Sequence, residues 1–136
     1  MPGPRVYSLD EVNELVPRLA EVFARVDEIK EALRVLHIRL NALELIWGRA
    51  LRESTNPDHG EFTSYVTEMK TLEDEVEKLT QGIAKLSGQV KSVDPPLVDF
   101  YGVRDGHLVL WCWTRGEERI EHWHHVDTGF ASRQHV

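Results

Sequence analysis

The densest collection of possible ligands and proton carriers in the chain is His122-Trp123-His124-His125-Val126-Asp127, with His135 close behind. Histidines two apart on a strand project from one face. His122 and His124 can therefore share an ion, with Asp127 or His135 completing three ligands. Such a set predicts a divalent metal, zinc or iron, as cofactor. The competing reading is that these imidazoles fill an aromatic-rich surface and hydrogen-bond to backbone or carboxylates. Neither a His-Glu-x-x-His helix nor a cysteine pair is present to favour the metal.

Asp99 lies inside an apolar run, Leu97–Val103, where a carboxylate must be paired or bear a heavy desolvation cost. Arg133 and the nearby histidines are available partners. Asp99, Trp113, Trp123 and Arg133 are therefore expected to line any small-ligand site, with a structural salt bridge as the simpler role for Asp99. Asp127-Thr128-Gly129 repeats the tripeptide of aspartic proteases, but those enzymes carry it on an all-β scaffold, and Asp127 is better read as a turn former. The aromatic cluster lacks the basic neighbours of a base-stacking platform.

These residues must be positioned by two kinds of element. From Val12 to Ala50, apolar residues recur in alternating steps of three and four: Val12, Leu15, Leu19, Val22, Val26, Ile29, Leu33, Leu36, Leu40, Leu43 and Trp47. That spacing is a heptad seam and predicts a helix over 8–53, roughly 65–70 Å long at about 1.5 Å per residue. Ser8 with Glu11 forms a capping box at its start, with Tyr7 able to staple onto Val12. Pro17 falls opposite the seam and predicts a kink rather than a stop. The turn formers of 54–60 then lead into a second seam, Phe62 to Leu86, which predicts a helix over 61–87 folded back as an antiparallel, coiled-coil-like hairpin. Gly88 is the expected stop.

The second helix is the shorter, so the first half of helix one needs another partner. Val35, Ile38, Ala42 and Leu45 also form an apolar stripe away from the main seam. A helix apolar on two faces is buried on two faces. Another copy of the chain is the simplest supplier, and those four residues are the expected homodimer interface.

After a linker at 91–96 the period changes to that of strands. Leu97–Val103, His107–Trp113 and Arg119–Val126 predict a small three-stranded antiparallel meander over 97–126, with a C-terminal tail over 127–136. Asp105-Gly106 and Gly116-Glu117 fit two-residue hairpin turns. Those turns pair Phe100 with Trp111 and Trp111 with His122, and pair Asp99 with Cys112 and Cys112 with Glu121. Cys112 and His122 then lie on opposite faces, which excludes them as a nucleophilic pair. Both faces are largely apolar, so each needs cover: a helix on one, a partner or the tail on the other.

Together these features describe a single α+β domain over 1–136. With 16 Lys and Arg against 23 Asp and Glu, the formal charge of −7 excludes a general nucleic-acid binder. No apolar stretch is long enough to span a membrane, no leader-like run opens the chain, and one cysteine forms no internal disulfide. A cytoplasmic protein is expected.

The residues Leu97-Val98-Asp99-Phe100, Leu110-Trp111-Cys112-Trp113 and Trp123-His124-x-x-Asp127-x-Gly129-Phe130-x-x-Arg133-Gln134, with the opening Tyr7-Ser8-Leu9-Asp10-Glu11-Val12, resemble a prokaryotic family catalogued as domain of unknown function 2203. The resemblance covers nearly the whole chain. It implies an architecture and a region of interest rather than an activity: Asp99, Phe100, Trp113, Trp123, His124, Asp127, Gly129, Phe130 and Arg133 match. His122, His125 and Ser132 stand where the family more often has an aromatic, an acid and a glycine, which moves the weight of the metal reading to His124 with Asp127.

Two functions fit. The first is a non-enzymatic, dimeric interaction or scaffold protein built on the hairpin. The second is a metal- or small-ligand-binding protein, with hydrolysis as its reaction, around His124, Asp127, Asp99 and Arg133. The residues leave open whether the protein is an enzyme.

Overall fold

A computed structural model describes residues 3–136. The capping box forms: Ser8 Oγ accepts the Glu11 N–H at 3.1 Å, and the Glu11 carboxylate accepts the Ser8 N–H at 2.8 Å. Helix α1 is short, however, running only over Leu9–Asn13 before α2 takes over at Val16–Trp47. The first helix is thus divided where a kink was expected. Pro17 has no N–H to give the Asn13 carbonyl, so the ladder is interrupted there. Glu14 and Leu15 donate to carbonyls three residues back instead, at 3.2 and 3.0 Å.

Nor does α2 reach residue 53. Gly48, at φ +56°, ends it, and Gly48–Arg52 form a 3₁₀ turn. Helix α3 covers His59–Lys85. The connection is held by Trp47 Nε1, which donates to Asp58 at 2.8 Å, and by the Asn56 side chain accepting the Asp58 N–H at 2.8 Å. Farther along, the Arg25 guanidinium grips the Glu75 carboxylate with two hydrogen bonds, one of 2.8 Å. At its C-terminus α3 is closed by Ser87, at φ +65°, and by the Gly88 N–H donating to the Ile83 carbonyl at 3.0 Å. Gly88 serves packing: a Cβ there would meet Ile83 at 2.5 Å and Phe100 at 2.9 Å.

The β region is larger than the expected three-stranded meander. Five antiparallel strands follow in sequence order: β1 Gln89–Val93, β2 Pro96–Arg104, β3 His107–Thr114, β4 His122–His125 and β5 Gln134–His135. The supposed linker therefore supplies β1, which turns at Asp94-Pro95 and runs back along β2. Pro96 opens β2, the strand position where its missing N–H matters least. The supposed tail supplies β5, with Gln134 opposite Trp123 and His135 opposite His122.

The β2–β3 hairpin turns at Asp105-Gly106, with φ +52° and +78°. It keeps the expected pairs Asp99–Cys112 and Phe100–Trp111. Between β3 and β4 the register differs by one: Trp111 faces Trp123 and Cys112 faces His122. Residues 115–121 form a longer connection instead of a tight hairpin. The Asn13 side chain reaches it, accepting the Ile120 N–H at 2.6 Å and donating to the Ile120 carbonyl at 3.3 Å.

By contact, the chain divides into two compact units: Arg25–Lys78, and the remainder through Ala24 and from Leu79 onward. In the sheet unit Val98, Phe100, Trp111 and Trp113 are buried. Phe23 stacks on Trp113 at 5.7 Å, and Tyr7 meets Phe100 edge-on at 5.5 Å. The N-terminal segment is anchored: Tyr7 N–H donates to the Tyr101 carbonyl at 2.8 Å, its hydroxyl to the Leu86 carbonyl at 2.6 Å, and its own carbonyl accepts Trp111 Nε1–H at 2.9 Å. The sheet unit thereby satisfies the first part of helix one, where Val12, Val16, Leu19 and Phe23 are buried.

Candidate functional site

A shift of one residue moves every side chain of a strand to the other face. The observed register therefore takes His122 and His124 away from the Phe100–Trp111–Trp113 face and puts them on the face of Asp99, Leu110 and Cys112. The premise on which Cys112 and His122 were separated is overturned. Cys112 is nonetheless no nucleophile: burial first, and then the neighbouring Asp99 carboxylate, push its thiol up to about 12.

The residues that converge are Asp99 on β2, Cys112 on β3 and His124 on β4. All three are buried, at 3%, 1% and 1% exposure. Their ligand atoms lie within 4.8 Å of one another, and among the described residues no other set of three His, Cys, Asp or Glu groups meets that condition. His124 Nε2 is 3.1 Å from Asp99 Oδ2, and His124 Nδ1 is 2.8 Å from the His125 carbonyl oxygen.

Both imidazole nitrogens thus face acceptors. A neutral ring carries one N–H, and the carbonyl can only accept, so Nδ1 donates to it. The contact between Nε2 and Asp99 Oδ2 then takes a shared proton, or a cation in its place. Beside this cluster lies a cavity of about 230 Å³, lined by Asp99, Cys112, Leu97, Leu110, Lys91 and residues of the C-terminal segment, Phe130 among them. The C-terminal segment is thus the cover of the second sheet face.

Of the other expected site residues, Arg133 reaches the cluster through its interaction with the Cys112 thiol, and the rest do not join. Asp127 is exposed, and its turn is closed by Thr128, whose N–H and hydroxyl both donate to the His125 carbonyl at 3.1 Å. His122 Nδ1 lies 3.3 Å from Glu117. Of His122, His124 and Asp127, only His124 belongs to this cluster. Arg133 pairs with both oxygens of Glu117 at 3.1 Å, not with Asp99, whose partner is His124. Trp113 lies on the opposite face beside a separate apolar cavity of about 340 Å³. Trp123 lies under the Arg104 guanidinium at 5.2 Å. Sequence reasoning treated Cys112 as core and Glu117 as a turn residue. The Asp99–Cys112 pairing was the available signal for Cys112, whereas Glu117 carried none.

In the helical unit the stripe is accessible. Ile38 is 55% exposed and Leu45 88%; the neighbouring Ile46 is 68% exposed. Ala42 is also exposed, and Val35 is half-buried. No helix is long and apolar enough to cross a membrane among the described residues.

The family model described as "Uncharacterized conserved protein (DUF2203)" matches residues 5–136, and the chain belongs to that family. No curated protein and no solved structure matches the chain.

Proposed function

We propose that the protein is a non-enzymatic, cytoplasmic interaction protein that works as a homodimer, with α2 and α3 as a coiled-coil-like hairpin and the stripe on α2 as the assembly surface. The observation that carries this reading is the exposure of Ile38, Leu45 and Ile46 on one long helix. Isolated exposed apolar residues need no explanation, but three large ones within nine residues form a patch, and such patches mark contact surfaces.

The spacing favours a second copy over an unrelated partner. When an identical helix is laid antiparallel with the two-fold axis beside Leu40, Val35 falls opposite Leu45 and Ile38 opposite Ala42, apolar against apolar. Such self-complementarity is what a two-fold interface requires. The buried Cys112 thiol needs no oxidising compartment.

Light scattering coupled to gel filtration tests the proposal. Wild-type protein at tens of micromolar should run at twice the chain mass, and Leu45→Glu at the chain mass with unchanged circular dichroism. A wild-type monomer at that concentration would refute it.

A further inference from the structure

We propose that Asp99, Cys112 and His124 form a three-ligand site for a zinc-class divalent cation, with the fourth coordination position opening onto the cavity beneath the C-terminal segment. This site is independent of the dimer surface and differs from the set suggested by the sequence.

Geometry is the first argument. Zinc binds sulfur at about 2.3 Å and nitrogen or oxygen at about 2.0–2.2 Å, so two ligand atoms on one tetrahedral ion lie roughly 3.3–3.7 Å apart. The three donor atoms already lie within 4.8 Å, and His124 Nε2 and Asp99 Oδ2 within 3.1 Å. Side-chain adjustment of about one ångström closes the remainder. The second argument is orientation. Metal-bound histidines commonly donate their other ring N–H to a carbonyl or carboxylate, which fixes the tautomer. Here the His125 carbonyl takes Nδ1–H at 2.8 Å, leaving the Nε2 lone pair aimed at the cluster.

Charge is the third. A thiolate, a carboxylate and a neutral imidazole carry −2 together, which a divalent ion cancels in the sheet interior.

Ligand softness narrows the metal. Sulfur and imidazole donors suit zinc and its chemical relatives, whereas magnesium and calcium seek oxygen shells. Three protein ligands with an open fourth position is the pattern of ion sites that take water or an exchangeable ligand. At about 230 Å³ the adjoining cavity is smaller than the roughly 300–1,000 Å³ of drug-sized sites, which suits water or a ligand of few atoms. Lys91 in its lining offers an entering anion a counter-charge.

Cobalt(II) provides the decisive probe because the chain has one cysteine, so any thiolate-to-cobalt absorption reports Cys112 alone. Tag-free, chelator-stripped full-length protein should bind one cobalt per chain with a near-ultraviolet charge-transfer band. Zinc should displace the cobalt and abolish the band, and magnesium should not. Cys112→Ser should lose the band and bind zinc more weakly, by more than the roughly 10–100-fold that loss of an outer-shell partner costs. Asp99→Asn is the fold-preserving variant, since an amide N–H can donate to His124 Nε2 without the extra charge, and it should weaken zinc by a similar factor. Absence of the band in folded wild-type protein would overturn the site. So would zinc affinity undiminished in folded Asp99→Asn, which would place the ion elsewhere. If Cys112→Ser fails to fold, the wild-type band and Asp99→Asn still decide.

Discussion

Gly102 shows how closely single atoms constrain the sheet unit. A Cβ built on it would lie 2.0 Å from Trp111 Nε1 and 2.3 Å from Cε2, so the indole occupies the space that any side chain would need. The same indole N–H donates to the Tyr7 carbonyl at 2.9 Å and helps hold the N-terminal segment on the sheet. Gly102→Ala must therefore move the ring and break that bond. Overpacking costs about 1–3 kcal/mol, and a buried hydrogen-bonding group left unpaired about 1–3 kcal/mol more. Urea unfolding should show a loss of roughly 2–6 kcal/mol on those grounds, against near-neutral behaviour at Gly60, where a Cβ meets nothing within 4 Å. The local sequence Tyr101-Gly102-Val103 gives no sign of this, because the atoms that exclude a side chain come from the neighbouring strand. Asp99 was more legible: a carboxylate in an apolar run signals a buried partner, and the hairpin turn at Asp105-Gly106 brings Cys112 opposite it.

The elements themselves were readable where local chemistry decides them. The capping box, the helical segments and the β2–β3 hairpin are determined by residues close in sequence, and all appear, the first helix in two pieces. The β3–β4 register was not readable, because a distant residue sets it. Gly116 takes φ +90° and the Glu117 N–H donates to Thr114, as a tight turn would have it, yet the strands do not pair directly afterwards. Instead the Asn13 amide, at the end of α1, uses both its donor and its acceptor on the backbone of fully buried Ile120. That clamp delays β4 to His122 and so brings His124 to Asp99. Asn13→Ala would leave the Ile120 N–H buried and unpaired, a cost of about 1–3 kcal/mol. The loss should exceed that of Asn13→Asp, which keeps the acceptor for the Ile120 N–H. Comparing the urea midpoints of the two variants checks the prediction, and equal losses would mean that the clamp contributes nothing through its acceptor.

At the scale of the whole molecule, two surpluses of apolar surface were apparent in the chain, and only one is satisfied within it. The sheet unit buries Val12, Val16, Leu19 and Phe23, using strands drawn from what looked like a linker and a tail. The second surplus, around Leu45, stays exposed. If a second copy covers it, folding and assembly are linked, because whatever binds only the folded state adds to its stability by mass action. For a chain that unfolds from a dimer to two separate monomers, each tenfold rise in concentration stabilises the dimer by about 1.4 kcal/mol, and a change of that size moves a melting temperature by a few degrees. The wild-type melting temperature should therefore climb with concentration from one micromolar to one hundred. Leu45→Glu, whose substitution sits on the exposed stripe and disturbs no buried contact, should melt at one temperature throughout that range. It should also equal the wild-type value extrapolated to high dilution, because the charge removes the partner and not the fold. A concentration-independent wild-type melt coinciding with that of Leu45→Glu would show the stripe to be bare surface in solution, and assembly would have to be sought on another face of the molecule.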